Sequence, residues 1–367
     1  KRQERAVRSL VTLLDDPDRQ LSAAAREALY RHRLPRPEIP LVSRQRVEGI
    51  SLDLARRYRD LGAHLAILQQ ATGGDPEHRA LLADTLREAR ERERNALFQV
   101  LSLYYPPADI QNCRRSMQEH DLERRSNAEE LMDNLSPGRL WHAIVPILYP
   151  ETAARRKGRQ DGPDPDPERS LAALARDPDP WISACALNLA AGGGHHRIAE
   201  IARERDMHPD YRVREAARRF DRGGRNMVTE PAGVFAKIMA LKQVDLFSGA
   251  PTEQLSLIAA LARIVEFPEG AELCREGDPA GDLFIVLAGK GAILQGGETM
   301  GSLAAGESLG TWGLFEDEPR QVTVKAAEPM QVLRIDRWGF DQLLFEHPEV
   351  SRSLIRLMVE RLRKMTR

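Results

Sequence analysis

Residues Gly306 to Val324 read GESLGTWGLFEDEPRQVTV, and no other stretch of the chain constrains its chemistry as closely. A short turn between glycines, Gly310 to Leu314, can aim several backbone N–H groups at one oxyanion. Arg320 follows and carries a guanidinium that can hold two phosphate oxygens in a bidentate fork. The stretch therefore predicts an anion cradle made of backbone donors and one arginine.

The order of glycines, apolar turn, Pro-Arg and Thr-Val strand resembles the phosphate-binding cassette of cyclic nucleotide-binding domains. In that family the cassette reads Phe-Gly-Glu, then Leu, then Pro-Arg, two small residues and Thr-Val. Leu309-Gly310, Arg320 and Thr323-Val324 occupy the corresponding places here. Two positions depart from the pattern, because Thr311 stands at the glutamate position and Gln321 replaces the first small residue.

These departures alter the chemistry that the resemblance implies. In the family the glutamate accepts a hydrogen bond from the ribose 2′-hydroxyl, whereas Thr311 offers a shorter and neutral partner. Losing one charge-assisted hydrogen bond weakens binding by roughly 1.5–3 kcal/mol, or about 10- to 100-fold. The resemblance places cyclic AMP or cyclic GMP against nine residues: Leu309, Gly310, Thr311, Trp312, Gly313, Leu314, Arg320, Gln321 and Val322.

Two features near this site leave alternatives open. Trp312 can stack on a base, or it can fill the pocket itself. The last helix carries an apolar stripe that can close over a base, pair with another subunit or pack on the preceding fold. The stripe consists of Val350, Leu354, Met358, Leu362 and Met365.

The sequence around the cassette predicts a small antiparallel barrel or jelly roll. Gly277 and Gly289 are suited to hairpin turns that need positive φ. Helices are also predicted before the strands. Leu246-Phe247, which belongs to this helical segment, is expected to pack against the barrel or jelly roll that follows. Two helices are predicted after the strands, at Trp338 to Phe345 and at Pro348 to Met365.

An internal repeat occupies the N-terminal two thirds of the chain. The dipeptides Pro17-Asp18, Pro178-Asp179 and Pro209-Asp210 each precede an aliphatic residue three positions after the Asp, and an alanine four positions later. Proline suits the first position of a helix, and aspartate in the first turn complements the helix dipole. The pattern resembles HEAT or armadillo repeats, whose helix hairpins stack into a solenoid.

The predicted fold class is therefore α+β and multidomain. Residues 1–225 are expected to form an α-helical HEAT-like solenoid, interrupted by a Pro- and Gly-rich loop at about 153–168. Residues 226–367 are expected to form a β-barrel or jelly-roll domain of the cyclic nucleotide-binding type, with flanking helices.

A second resemblance concerns the context of the chain. Ser126-Asn127-Ala128-Glu129, with Leu131, Asp133 and Asn134, is similar to the soluble tails of bacterial nucleotide-translocase-like transporters of the major facilitator type. Those tails join HEAT-like helices to a cyclic nucleotide-binding domain. The chain also opens without Met, on KRQERAVRSL, which predicts a piece of a longer protein.

The composition limits the cellular compartment and the kinds of partner that we expect for the chain. The three cysteines have neither disulfide nor metal-ligand spacing, which predicts a reducing cytoplasm or the cytosolic face of the inner membrane. No apolar run approaches the ~18 residues of a membrane span, so a membrane is expected only through a transporter portion outside this sequence. The cysteines are Cys113, Cys185 and Cys274.

Several classes of function are disfavoured. A net charge of −1 and a pI near 6.9 provide no basic footprint for nucleic acid, and a helix-turn-helix has no room before Arg367. No catalytic triad, Walker loop or paired acids appear, and His195-His196 has no further ligand at metal spacing. No enzyme, metal or cofactor is expected.

Two hypotheses of different kinds remain. The first is a sensory module, in which a cyclic mononucleotide shifts the last helix against the solenoid. The second is a ligand-independent assembly scaffold with a vestigial pocket. In both, the solenoid binds a protein partner.

Overall fold

The computed structural model describes residues 2–16, 18–71, 73–116, 130, 138–148, 166–191, 196–222 and 233–365. The chain divides into two compact units, Lys1–Leu189 with His195–Ile201, and Ala190–Gly194 with Ala202–Arg367. Several predicted features lie outside the described residues: the boundary at 225/226, most of the loop at 153–168, Pro17, the motif at 126–134 except residue 130, and His195.

The described part of the N-terminal region is helical. A short 3₁₀ turn, Leu13–Asp15, follows its first helix. The α-helices are, in chain order, α1 Arg2–Thr12, α2 Arg19–Arg33, α3 Arg44–Gln70, α4 Pro76–Leu101, α5 Pro107–Ser116, α6 Arg139–Leu148, α7 Pro167–Ala175, α8 Pro180–Ala190, α9 His196–Arg205 and α10 Tyr211–Asp221.

The aspartate of each Pro-Asp dipeptide caps a helix. Oδ1 of Asp18, Asp179 and Asp210 accepts a backbone N–H two or three residues ahead, at 3.3, 2.9 and 2.8 Å respectively. Each aspartate thus lies at the N-cap, one place before the helix, and not in the first turn as predicted. The physical reason is that an N-cap carboxylate reaches N–H groups that have no acceptor within the helix.

The three copies differ in their aliphatic position. Ile182 and Val213 are fully buried, whereas Leu21 is 49% exposed, so the first copy does not present this side chain to a core. The alanine is buried in every copy: Ala25, Ala186 and Ala217.

A buried ion pair holds α3 to the segment before α8 within the first unit. Both guanidinium Nη atoms of Arg57 donate to the carboxylate of Asp177, at 2.6 and 2.5 Å. The pair borders a cavity of about 360 Å³ that His64 also lines. Burial lowers the pKa of His64, so that this imidazole is held neutral near pH 7.

The second unit contains two antiparallel four-stranded sheets, in the orders β1-β8-β3-β6 and β2-β7-β4-β5. They are not closed into a barrel, so the barrel form of the prediction is wrong. Every pairing of the named strands lies within one sheet, so the hydrogen-bonded ladder is not continuous around the described part of the domain. The strands are β1 Arg263–Phe267, β2 Glu272–Cys274, β3 Asp282–Ala288, β4 Lys290–Gln295, β5 Glu298–Ala304, β6 Ser308–Leu309, β7 Thr323–Ala326 and β8 Met330–Asp336.

An apolar core contains inward-facing residues of both sheets. Gly277 and Gly289 have φ of +87° and +84°, which confirms the predicted positive φ. The predicted hairpins are wrong, because β2 and β3, and likewise β3 and β4, lie in different sheets and do not pair. The buried members of the core are Leu273, Phe284, Val286, Leu303, Val324, Ala326, Met330 and Val332.

Four helices flank the sheets: α11 Val234–Gln243, α12 Thr252–Leu261, α13 Arg337–Glu346 and α14 Pro348–Met365. Phe247, between α11 and α12, is fully buried and packs edge-on against Phe340 of α13, with ring centroids 6.2 Å apart. On α14 only the first part of the predicted stripe is buried, because Val350 and Leu354 are covered while Leu362 is 61% exposed.

Among the helices that the structure describes, none is both long enough and apolar enough to cross a lipid bilayer.

Candidate functional site

The predicted cassette connects β6 to β7 and begins at a residue that must be glycine. Gly310 has φ of +85°, in the left-handed region that side chains disfavour. A Cβ atom added there would lie 2.5 Å from the carbonyl oxygen of Asp282 and closer still to Nη1 of Arg320. Gly310 therefore lets the chain turn directly over the arginine.

A 3₁₀ turn, Trp312–Leu314, follows immediately. Thr311 precedes it in a helical conformation, with φ of −54° and ψ of −43°. The first donor of the turn is the N–H of Leu314, which donates to Thr311 O at 3.4 Å. The N–H groups of Thr311 to Gly313 come before this first donor, so they have no acceptor within the turn. Such groups form a small cradle for an anion.

Arg320 is held beneath this cradle. Its side chain is buried, with 7% of the residue exposed, and Nη2 donates to the carbonyl oxygen of Asp282 at 2.6 Å. The guanidinium carbon lies 5.5 Å from the ring centroid of Phe284, a cation–π distance. The backbone of Arg320 is fixed as well, because its N–H donates to Asp278 O and its carbonyl accepts from Gly277 N–H, both at 2.8 Å.

The carboxylate of Asp282, whose carbonyl oxygen accepts from Arg320, is itself paired with a different arginine. The carboxylate of Asp282 accepts two hydrogen bonds from Arg334, at 2.8 and 3.1 Å, and this pairing raises the pKa of Arg334. Within the described residues, the acceptor of the Arg320 guanidinium is a neutral carbonyl. A buried cation whose charge is not cancelled favours an anionic ligand.

A cysteine borders the arginine. Burial raises the pKa of the Cys274 thiol, and the charge of Arg320 partly offsets that effect. The thiol is therefore protonated at neutral pH, and it leaves the positive charge of the site intact.

The structure brings most of the predicted site residues together around the turn. Trp312 is 64% exposed, so it does not fill a pocket. Gln321 is also exposed. The rest are half-buried or buried: Leu309, Gly310, Thr311 and Val322 in the first class, and Gly313, Leu314 and Arg320 in the second.

A contact at the other end of the turn was also not predicted from the sequence. Arg337, the first residue of α13, donates from Nε to the carbonyl oxygen of Gly313 at 2.8 Å. The sequence does not reveal this contact, because Arg337 lies 24 residues after Gly313 along the chain. The sequence feature that could have indicated this contact is an arginine directly after Asp336. Asp336 is the N-cap of α13, where its side chain accepts the N–H of Gly339 at 2.9 Å.

The comparison with protein families agrees with this geometry. Residues 264–347 match the family model described as the cyclic nucleotide-binding domain. This stretch is a cyclic nucleotide-binding domain. It runs from β1 to the end of α13 and contains the whole cassette.

Two curated proteins are similar to part of the chain. Over 106 residues the chain is 29% identical to a cAMP-dependent protein kinase regulatory subunit of Emericella nidulans, a match that covers 28% of this chain and 26% of that protein. Over 129 residues it is 24% identical to a CRP-like cAMP-activated global transcriptional regulator of Mycobacterium tuberculosis, which covers 34% of this chain and 58% of that protein.

Among solved structures, the N-terminal domain of a transcriptional regulator from Streptomyces coelicolor A3(2) is 27% identical, with a TM-score of 0.33. That match covers 34% of this chain and 94% of the solved chain. The chain spans less than two thirds of the length of either curated relative.

Proposed function

We propose that the chain is a non-catalytic regulatory module whose cyclic nucleotide-binding domain senses cyclic AMP or cyclic GMP. The observation that carries the proposal is the buried guanidinium of Arg320, which lies close to Gly310 at the start of a turn whose first N–H groups have no acceptor within the turn. A cyclic phosphate is a singly charged anion, and it supplies oxygens for both kinds of donor. The names of the two relatives, one cAMP-dependent and one cAMP-activated, support this class of ligand.

Thr311 sets the strength of the proposed site. A threonine hydroxyl bonds a ribose hydroxyl as a neutral partner, whereas a carboxylate at this place gives a charge-assisted bond. Thr311 is half-buried at the start of the turn, so its side chain belongs to the rim of the cradle. We expect a weak site in the wild-type protein.

The proposed output is a change in the pose of α14. In this structure α14 rests on the corner between α11 and α12. Arg361 pairs with Asp245 at 2.5 Å, and the side chain of Leu357 fills the space above Gly249. These contacts define one pose, and a ligand can shift the helix only through a difference in affinity between two poses.

The helical region is proposed to be a HEAT-like repeat scaffold that receives this change and binds a protein partner. The equivalent N-caps at Asp18, Asp179 and Asp210 support a repeated helical unit. We further propose that the module is the cytosolic part of a larger membrane transporter, on the strength of the motif at 126–134 and the order of the domains.

Calorimetric titration of the full chain with cyclic AMP and cyclic GMP tests the proposed ligand, and Thr311→Glu sharpens the test. We expect weak binding by the wild type and about 10- to 100-fold tighter binding by Thr311→Glu, because the carboxylate restores a charge-assisted bond to ribose. Thr299→Glu is the matched control, since it adds the same charge at an exposed position of β5 outside the cassette. This control is expected to bind as the wild type does.

The outcomes separate the hypotheses. Absence of heat at millimolar nucleotide for both wild type and Thr311→Glu would refute the sensory function. Binding by Thr311→Glu alone would favour the ligand-independent scaffold with a retired pocket, because the cradle would then be intact but unused.

A further inference from the structure

The side chain of Arg337 donates hydrogen bonds to several carbonyl oxygens at the C-terminal end of the cassette turn. Nε and Nη2 both donate to Gly313 O, at 2.8 and 2.5 Å, and Nη2 also donates to Ala280 O at 3.0 Å. The same guanidinium donates to Glu316 O and pairs with the carboxylate of Asp317. One planar fork therefore joins α13, the cassette turn and the loop before β3.

The position of Arg337 is unfavourable for its own helix. It is the first residue of α13, where the helix dipole is positive and a cation is repelled. At the end of the 3₁₀ turn, in contrast, the exposed carbonyl oxygens carry partial negative charge and attract a cation. Asp317 explains little of this placement, since it is 97% exposed and such ion pairs contribute little. The positive charge of Arg337 thus stabilises the end of the 3₁₀ turn and not the N-terminus of α13.

From these contacts we infer that Arg337 is a positioning residue for the phosphate cradle. In a helical turn the C=O groups point toward one end and the N–H groups toward the other. By holding the C=O end, Arg337 fixes the direction in which the N–H groups of Thr311 to Gly313 point. Arg320 acts at the opposite end of the turn, beneath Gly310. This inference rests on the proposed cyclic nucleotide site.

The contact also links the cradle to the C-terminal helices. Phe315, the residue after the 3₁₀ turn, packs edge-on against Phe340 of α13, with ring centroids 5.8 Å apart. Arg337 and Phe340 lie one turn apart on α13, so the cassette is attached to this helix by a polar and an apolar contact. A shift of the turn on ligand binding would therefore reach α13 directly.

Arg337→Lys tests the inference in the full chain. Lysine keeps the charge, but its three N–H donors all lie on one nitrogen, so it cannot reproduce the planar arrangement in which Nε and Nη2 of Arg337 contact the carbonyl oxygens together. We expect hydrogen exchange of the amides at 314–316 in the ligand-free protein to become about tenfold faster, with the amides of β3 and β8 unchanged. We also expect the Kd for cyclic AMP or cyclic GMP to rise about tenfold at an unchanged melting temperature.

Arg356→Lys is the matched control, since Arg356 is exposed on α14 and the substitution is the same. Unchanged exchange at 314–316 in Arg337→Lys would overturn the inference. So would faster exchange spread equally over both sheets, since Arg337 would then only stabilise the domain. If wild type and Thr311→Glu bind no nucleotide, the proposed function fails, whereas the exchange measurement still decides the role of Arg337.

Discussion

Arg320→Ala is expected to lower the affinity for a cyclic nucleotide at least about hundredfold. The substitution removes the buried cation under the cradle. It also removes the two guanidinium N–H donors from which phosphate oxygens can accept hydrogen bonds. Two charge-assisted hydrogen bonds at roughly 1.5 kcal/mol each amount to about 3 kcal/mol, which is about a hundredfold in Kd. Because the wild-type site is expected to be weak, the measurement is best made in the Thr311→Glu background, by calorimetry with cyclic AMP and cyclic GMP.

Arg320 also supports the fold, so the loss of binding must be separated from a loss of structure. Its Nη2 bond to Asp282 O is buried, and Arg320→Lys retains a charge that can reach this carbonyl. We expect Arg320→Lys to stay folded and still bind at least about tenfold more weakly, since an ammonium cannot form the bidentate fork. Arg275→Ala is the control, because this arginine is exposed and its ion pair is with Glu272. Binding by Arg320→Ala within threefold of its parent would contradict the assigned role.

Some local features of the second unit were predictable because adjacent residues determine them. Positive φ was predicted at Gly277 and Gly289, and their φ values are +87° and +84°. The helices predicted at Trp338 to Phe345 and at Pro348 to Met365 correspond to α13 and α14. The family match at residues 264–347 agrees with the resemblance read from the cassette.

Features that depend on tertiary contacts were not predictable. The spacing of Leu21 matches that of Ile182 and Val213, yet Leu21 is exposed, because burial depends on which element lies opposite. Whether two sheets close into a barrel depends on which strands pair with one another and not on the alternation within each strand. The role of Arg337 arises where the end of β8 meets the cassette, which a linear pattern does not record.

The contacts around the turn suggest how binding and motion are coupled. Arg320 lies close to Gly310 before the turn, Arg337 donates to Gly313 O at its other end, and Arg337 belongs to the helix that leads into α14. Under the proposed function, a ligand that draws the N–H end of the turn toward its phosphate would pull on α13 through the C=O end. The apolar half of this coupling runs through Phe340.

Phe340→Ala is expected to destabilise the second unit by about 3–5 kcal/mol, the range for removing a fully buried phenylalanine. Phe340 has no exposed surface, and its ring makes edge contacts with Phe247 and Phe315. Such aromatic pairs add to the apolar area that is buried. Because the chain has two units, segment-resolved hydrogen exchange measures the effect better than a single unfolding transition.

The same helix supplies the control. Phe345 lies on α13 with Phe340 but is 87% exposed, so Phe345→Ala makes the same chemical change without leaving a cavity. We expect it to alter stability by less than about 0.5 kcal/mol. For Phe340→Ala, protection should fall in β3, β8 and the 3₁₀ turn, while α3 and α4 of the first unit keep theirs. Equal losses in the two variants would show that Phe340 is not the apolar link between the cassette and α13, because the loss would then follow from helix composition and not from the buried ring.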